Sequence, residues 1–281
     1  MSETFDPAWL ALREPVDHRS RSAAAMSLLA PAWRAGGWTR VVDLGSGTGS
    51  NLRYLAPRLP GAGRWTLVDR DGDLLARATA PDGVEVKRFV GDLADAGLEA
   101  IRDSDVDLAT GSALLDLVSR DWLRGLAEAC RDARCAALFA LTYDGTIRWT
   151  AADGRRPAAD PDDALVRRAV NSHQRRDKGL GPALGPMAGL MAETLFREAG
   201  YRAWLLQSPW RLGPDDAALA EALVDGWESA AADELGDVPG DGADRDGAAR
   251  VRAWAERRRA TIESRRFGLT VGHLDLLALP A

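Results

Sequence analysis

The chain has 281 residues and a formal net charge of −6, enough length for one large domain or one core domain with insertions. Hydrophobic residues make up 46%, so a sizeable core can form. The balance of 36 basic against 42 acidic side chains disfavours a nucleic-acid partner, because phosphate binding wants a basic surface. Two cysteines, Cys130 and Cys135, make neither a disulfide framework nor a four-ligand metal site and are expected to be ordinary core or helix-end thiols. The first residues carry no basic and apolar leader pattern, and no long apolar run follows, so a soluble, cytoplasmic chain without a membrane partner is expected.

Residues 8–35 read as helical, with Pro15 and Pro31 expected to break them into pieces. Short apolar runs then alternate with helical stretches. Strands are expected at 40–44, 65–69, 84–90, 106–109 and 136–142, with helices at 51–59, 74–79 and 119–133 between them. Strands alternating with helices imply parallel βαβ units and a doubly wound sheet. Further on, a helix is expected at 162–178 and another at 188–199, then a strand at 201–207. Two helices should fill 214–266, joined by a loose segment at 239–247, before a last strand at 269–279.

The first strand runs into Asp43-Leu44-Gly45-Ser46-Gly47-Thr48-Gly49. Glycines there let the backbone turn sharply and approach a ligand without a Cβ clash, and a following helix aims free N–H groups at the same place. A dinucleotide fingerprint needs Gly-x-Gly-x-x-Gly, whereas position 50 is Ser. Asp69 ends the second strand, where a carboxylate can accept hydrogen bonds from both hydroxyls of a ribose. Asp92 follows the third strand, placed to accept from an adenine amino group while Leu93 packs on the ring. Gly111 and Ser112 leave the fourth strand with little side chain to block a ligand.

These features together, over residues 39–142, resemble the class I S-adenosylmethionine (SAM) dependent methyltransferases. The likeness rests on Val41-Val42-Asp43-Leu44-Gly45-Ser46-Gly47-Thr48-Gly49, the acid ending strand two and the acid after strand three. It implies a Rossmann-like α/β fold: a doubly wound seven-stranded sheet whose last strand, around residues 271–278, runs antiparallel, with N-terminal helices and helical cap insertions. It implies SAM as cofactor, S-adenosylhomocysteine (SAH) as product, and a cofactor-binding set of Asp43, Gly45, Ser46, Gly47, Gly49, Asp69, Arg70, Asp92, Leu93, Gly111 and Ser112. Arg19 and Arg21 could reach the SAM carboxylate from the N-terminal helices. One methyltransferase domain over 1–281 is expected, with N-terminal helices 1–37 and a SAM-binding core 38–143. The insertions 144–187 and 214–266 are expected to cap the substrate; loops this long in a compact domain are usually functional or disordered.

The candidate catalytic residues are His173, Tyr143 and Asp144. Val166, Ala169, Val170 and His173 share one helical face, so His173 is either a core histidine or a substrate ligand or base. Tyr143 and Asp144 leave strand five, where one of them could orient the acceptor. His18 and His273 show no metal-ligand spacing, and no metal is expected. No Asn-Pro-Pro-Tyr or Asp-Pro-Pro-Tyr follows strand four, which argues against methylation of amino groups on bases or glutamine. The expected reaction is transfer of a methyl group to an oxygen or nitrogen of a small molecule. Two alternatives stand beside it: an RNA or protein methyltransferase using the arginines between 250 and 266, and a non-catalytic SAM- or nucleotide-binding protein.

Overall fold

The structure, a computed structural model, describes residues 6–102, 105–236 and 243–281. It divides into two compact units. The first comprises Met1–Asp144, Asp177–Ser208 and His273–Ala281, and the second Gly145–Arg176 and Pro209–Gly272.

The first unit opens with helices α1 (Pro7–Ser20) and α2 (Ala23–Gly36). Pro15 and Pro31 do not break them as expected; each sits inside its helix. A proline removes the bond to the carbonyl four residues back, but Pro15 and Ala11, like Pro31 and Ser27, are exposed. Exposed carbonyls of this kind can bond to water instead. The break falls instead at Arg21–Ser22, where Ser22 caps α2 by accepting from the Ala25 N–H.

The alternation then begins with β1 (Arg40–Leu44), α3 (Ser50–Leu55), β2 (Arg64–Asp69), α4 (Gly72–Ala76) and β3 (Glu85–Val90). A π-helical turn at Leu93–Gly97 leads into α5 (Leu98–Arg102), followed by β4 (Leu108–Ser112), α6 (Arg120–Ala133) and β5 (Ala136–Thr150). α3 is shorter than expected because Pro57 turns the chain into a 3-10 segment, Ala56–Arg58. After α7 (Asp163–His173) in the second unit come α8 (Ala188–Glu198), β6 (Tyr201–Gln207) and β7 (Trp210–Leu212). The chain closes with α9 (Ala217–Gly236), α10 (Ala243–Glu263) and β8 (Gly268–Pro280).

The strands lie in the order β3-β2-β1-β4-β5-β8-β6. β1 pairs in parallel with β2 and β4, β2 with β3, and β4 with β5. β8 is antiparallel to β6. This is the expected seven-stranded α/β sheet with a reversed last strand. An eighth strand, β7, adds to the first residues of β8 in the second unit.

Alternate residues of the central strands enter two separate cores, because a parallel sheet is covered on both faces. Val42, Ala109, Phe139 and Leu276 pack with α6 and α8. Their neighbours Val41, Leu108, Leu138 and Leu277 pack with Leu29 and Trp33 of α2 and Leu52 and Leu55 of α3. Cys130 and Cys135 are free thiols buried in the first of these cores.

The second unit holds α7, α9 and α10, with α9 packed on both other helices. It also holds the far end of β5. The expected strand stopped at 142. In fact the strand continues with Ile147 and Trp149 buried and Arg148 exposed, the period of two that a strand needs. α7 ends at His173 rather than 178. In the expected loose segment 239–247, residues 243–247 belong to α10, and 239–242 lie outside the described residues. Trp227 and Trp254 are both buried.

Four arginines of α10, and Arg265 just beyond it, pair with acids within the same unit. Arg250 and Arg257 bind Asp162, Arg257 also binds Asp160, and Arg258 binds Asp163. Arg259 binds Asp225 and Glu228 of α9, and Arg265 binds Asp215. Arg258 is 3% exposed, and its guanidinium lies 4.4 Å from the centroid of the Trp149 ring.

Candidate functional site

The glycine loop between β1 and α3 is explained by its own backbone. Gly45, Gly47 and Gly49 have φ of 63°, 51° and 81°, a region that side chains disfavour. Gly45 and Ser46 donate to the Val68 carbonyl at 2.8 and 3.2 Å, which ties the loop to β2. The Ser46 hydroxyl donates to the Asp43 carbonyl at 2.7 Å. Asp69, at the end of β2, holds the loop from its other side. Its Oδ2 accepts the Gly47 N–H at 2.7 Å, and its Oδ1 accepts the Asp71 N–H at 3.0 Å.

A cavity of about 600 Å³ opens beside this loop, inside the first unit. Successive strand ends wall it: Gly45 after β1, Asp69 and Arg70 after β2, Asp92 and Leu93 after β3, and Ser112, Ala113, Leu114 and Leu117 from the end of β4 onward. That is where an open parallel sheet binds its ligands. The remaining wall is Asp177–Leu180. Asp177 Oδ1 accepts the Gly179 N–H at 2.7 Å, and a little further on Leu184 donates to the Val118 carbonyl at 2.9 Å. Asp92 caps the π-helical turn by accepting from the Ala94 N–H at 2.9 Å. The Trp122 indole donates to the Leu93 carbonyl at 2.7 Å, fixing that turn against α6.

Gly111 does not line the cavity. A Cβ there would lie 2.9 Å from the Leu44 carbonyl oxygen and 3.2 Å from Phe139. Its role in this structure is the close approach of β4 to β1.

Behind the loop lies a buried polar chain. Asp43 is fully buried. Its Oδ1 accepts from Asn51 Nδ2 at 2.7 Å, and the same nitrogen is 3.1 Å from Thr110 Oγ1. Asn51 Oδ1 accepts from Arg21 Nη1 at 2.9 Å. Arg21 also stacks on the Tyr54 ring, 4.6 Å from its centroid. Two atoms of this chain, Asp43 Oδ2 and Arg21 Nη2, are buried without a hydrogen-bond partner among the described residues. Burial pushes the Asp43 carboxyl up to about 7, against the Asn51 hydrogen bond and the charge of Arg21. Arg19, one of the two arginines expected to reach the SAM carboxylate, is exposed and outside the cavity wall. The turn between α1 and α2 buries Arg21 instead.

The candidate catalytic residues fall apart. Tyr143 is buried, with its ring edge-on to His273 at 6.2 Å between centroids; Asp144, next along, is half-buried. Neither lines the cavity. His173 belongs to the second unit. It is the last residue of α7, with Nε2 4.0 Å from Asp233 of α9. Val166, Ala169 and Val170 on its face are buried. One acid was missed altogether. Asp116, in the turn Leu115–Leu117, is 7% exposed, with Oδ1 buried and without a partner among the described residues. An acid inside the apolar run Leu114-Leu115-Asp116-Leu117-Val118 was the signal available. Among the described residues no His, Cys, Asp and Glu group could hold a metal ion, and no helix is long and apolar enough to cross a membrane.

The sheet order, the reversed strand and the glycine loop after β1 define a class I, Rossmann-like methyltransferase fold. Residues 41–134 match a family model described as a methyltransferase domain. No curated protein matches the chain. Among solved structures, a cyclopropane-fatty-acyl-phospholipid synthase-like protein from Lactobacillus casei is similar, with a TM-score of 0.54 and 13% identity; 99% of this chain and 95% of that chain are covered. A SAM-dependent methyltransferase from Thiobacillus denitrificans, in complex with SAH, has a TM-score of 0.42 and 17% identity, covering 99% of this chain and 100% of that chain. The match marks residues 41–134 as a methyltransferase domain.

Proposed function

We propose that the cavity holds SAM and that the methyl group passes to an oxygen or nitrogen of a small molecule. The observation that carries the reading is the wall itself, one short segment from each of four successive strand ends. Asp69 has lone pairs left, after the Gly47 and Asp71 N–H groups, for ribose hydroxyls. Asp92 is the acceptor for an adenine amino group, with Leu93 against the ring. Gly45 and Ser112 flank the methionine portion. The two orphaned buried atoms fit the zwitterionic end of the same molecule: Asp43 Oδ2 can accept from its ammonium and Arg21 Nη2 can donate to its carboxylate. A buried polar atom without a partner is costly, and such a ligand removes both costs.

SAM supplies a methyl group already activated on a sulfonium. The protein needs only to align the acceptor, exclude water and accept a proton. Among macromolecular acceptors nucleic acid is the least suited. Arg250, Arg257, Arg258, Arg259 and Arg265 are already matched to acids of their own unit, which leaves their charge unavailable to phosphates.

Calorimetry against SAM, SAH and NAD tests the cofactor; binding of NAD alone would overturn the site. Labelled SAM incubated with a size-fractionated cell extract tests the acceptor. Label in the low-molecular-mass fraction supports the reading, and label only in protein or RNA refutes it.

A further inference from the structure

The part of the cavity wall that no strand end supplies is a strap, Asp177–Leu180. Two glycines show its path. A Cβ on Gly179 would lie 3.9 Å from Arg70 Nη1, and a Cβ on Gly181 would lie 3.3 Å from the Ser119 Cβ. Arg70 follows β2 and Ser119 comes after β4, and β1 lies between those two strands in the sheet. The strap therefore crosses the cavity from the β2 side to the β4 side. The Leu184 N–H, bonded to the Val118 carbonyl, fastens the chain just beyond it. Leu180 packs against the core that contains Leu114. Asp177 turns back into the strap itself, where its Oδ1 accepts the Gly179 N–H. Lys178 has no such engagement. It is half-buried and lines the cavity, and its ammonium makes no hydrogen bond or ion pair among the described residues.

We infer that Lys178 determines specificity by binding a carboxylate on the methyl acceptor, within the cavity it lines. The inference rests on the SAM reading of that cavity. In that reading Asp69 and Asp92 meet the adenosine half, and the one anionic group of SAM, its carboxylate, goes to Arg21. No group of the cofactor answers Lys178. The sulfonium and the Lys178 ammonium are two positive charges in one cavity, and they repel unless an anion lies between them. An acceptor that carries a carboxylate supplies that anion. One ammonium matches a monovalent carboxylate, whereas the second charge of a phosphate would face Asp69, Asp92 and Asp177. Leu114, Leu117 and Leu180 line the same space and suit an apolar body that joins the carboxylate to the nucleophile. At about 600 Å³ the cavity is well above the lower end, about 300 Å³, of ligand sites. With the cofactor along the strand ends, the strap side is left for a small acceptor. The carboxylate is held, and the methyl group goes elsewhere on the same molecule. A lone pair of its oxygen or nitrogen forms the bond to the methyl carbon. The carbon–sulfur bond breaks with its electrons going to sulfur, and the proton that the nucleophile carried leaves to water.

The test uses the full chain, labelled SAM, and the low-molecular-mass fraction of a bacterial extract, divided on an anion exchanger into retained and unretained pools. Part of the retained pool is treated with alkaline phosphatase. Wild type is expected to label a product from the retained pool with or without that treatment, because a carboxylate survives it. Lys178→Gln is expected to lose roughly 10- to 150-fold in rate at low acceptor concentration, the contribution of a hydrogen bond to a charged group. Most of the loss should fall on KM, with SAH affinity by calorimetry unchanged. Lys178→Arg keeps the charge and should recover part of the rate, and it remains informative if the Gln variant fails to fold. Label only from the unretained pool, label abolished by phosphatase, undiminished turnover in Lys178→Gln, or no label from a wild type that binds SAH would each overturn the inference. So would a Lys178→Gln variant that loses affinity for SAH but not for 5′-methylthioadenosine, since Lys178 would then belong to the carboxylate of the cofactor. Failure of wild type to bind SAH would instead overturn the cofactor reading, and the inference with it.

Discussion

Replacing Asp69 by Ala tests the cofactor site most directly. Its carboxylate does two things at once. It accepts two backbone N–H groups, from Gly47 at 2.7 Å and Asp71 at 3.0 Å, and it faces the cavity. Hydrogen bonds to a charged group contribute about 1.5–3 kcal/mol each when buried. Asp69 is half-buried, so water recovers part of that loss, and the stability cost should be about 1–3 kcal/mol in total. In the proposed site the ribose hydroxyls would lose their acceptor in the same step, and the Gly45–Gly49 loop loses the clamp that holds Gly47. SAH affinity should therefore fall by about 1–3 kcal/mol, roughly 5- to 150-fold. Asp69→Asn keeps one acceptor oxygen and should lie between Ala and wild type in both quantities. Urea melts give the stability and calorimetry with SAH gives the affinity. A folded Asp69→Ala variant with wild-type SAH affinity refutes the assignment of Asp69 to the ribose, even if its stability falls as expected.

Asp43 makes the protein's stability depend on pH. Its carboxyl titrates near 7 folded against an ordinary value of 3.8, so the folded chain retains a proton the unfolded chain has lost. The contribution is full below about 3.8 and falls as pH rises to about 7; Asp43→Asn should flatten that limb of the urea-derived stability profile. An ammonium beside Asp43 favours its ionised form, so SAM binding near neutral pH should release a proton. Calorimetry in buffers of different ionisation enthalpy checks this. Gly111→Ala puts a Cβ 2.9 Å from the Leu44 carbonyl oxygen and should cost about 1–3 kcal/mol, as overpacking does; an unchanged melting temperature would show that β4 can move away from β1. His173→Ala should leave SAH affinity at the wild-type value, since His173 pairs with α9 outside the cavity wall; a large loss of affinity would put it back in the site.

The sequence made the sheet legible where local rules decide it. Apolar runs bounded by Gly and Asp place β1, β2 and β3 to within a residue or so, and the glycine spacing identifies the loop that turns under the cavity. The wall was mostly legible too, since Gly45, Asp69, Arg70, Asp92, Leu93 and Ser112 were all candidates on sequence grounds. The missing parts depend on distant contacts. Whether Pro15 breaks a helix depends on which face meets water, and that depends on how α1 packs. The choice between Arg19 and Arg21 depends on the direction of the turn at Ser22, whose N–H is accepted by Asp275 Oδ2 at 2.8 Å from the far end of the chain. Asp116 was passed over because an acid in an apolar run reads as a turn or cap residue until its surroundings are known.

Charge shows the same limit most clearly. A helix carrying Arg250, Arg252, Arg257, Arg258 and Arg259 reads along the sequence as a basic stripe, and a basic stripe invites a phosphate partner. Arg250, Arg257 and Arg258 find their partners about 90 residues earlier in Asp160, Asp162 and Asp163, too far along the chain for any local pattern to connect them. Folding changes the meaning of the stripe. Arg258 is buried against Trp149 and Asp163, where removing either charge leaves the other uncompensated, at a cost of about 3–5 kcal/mol. The Trp254 indole donates to the same Asp163 at 2.8 Å. The acids and arginines thus fasten α10 to the segment that precedes α7. Salt should weaken the exposed Arg257–Asp160 pair more than the buried Arg258–Asp163 pair. These arginines act as internal fastenings of the second unit, and the small-molecule reading of the enzyme gains from that, because the strongest sequence argument for a polyanionic substrate is spent inside the fold.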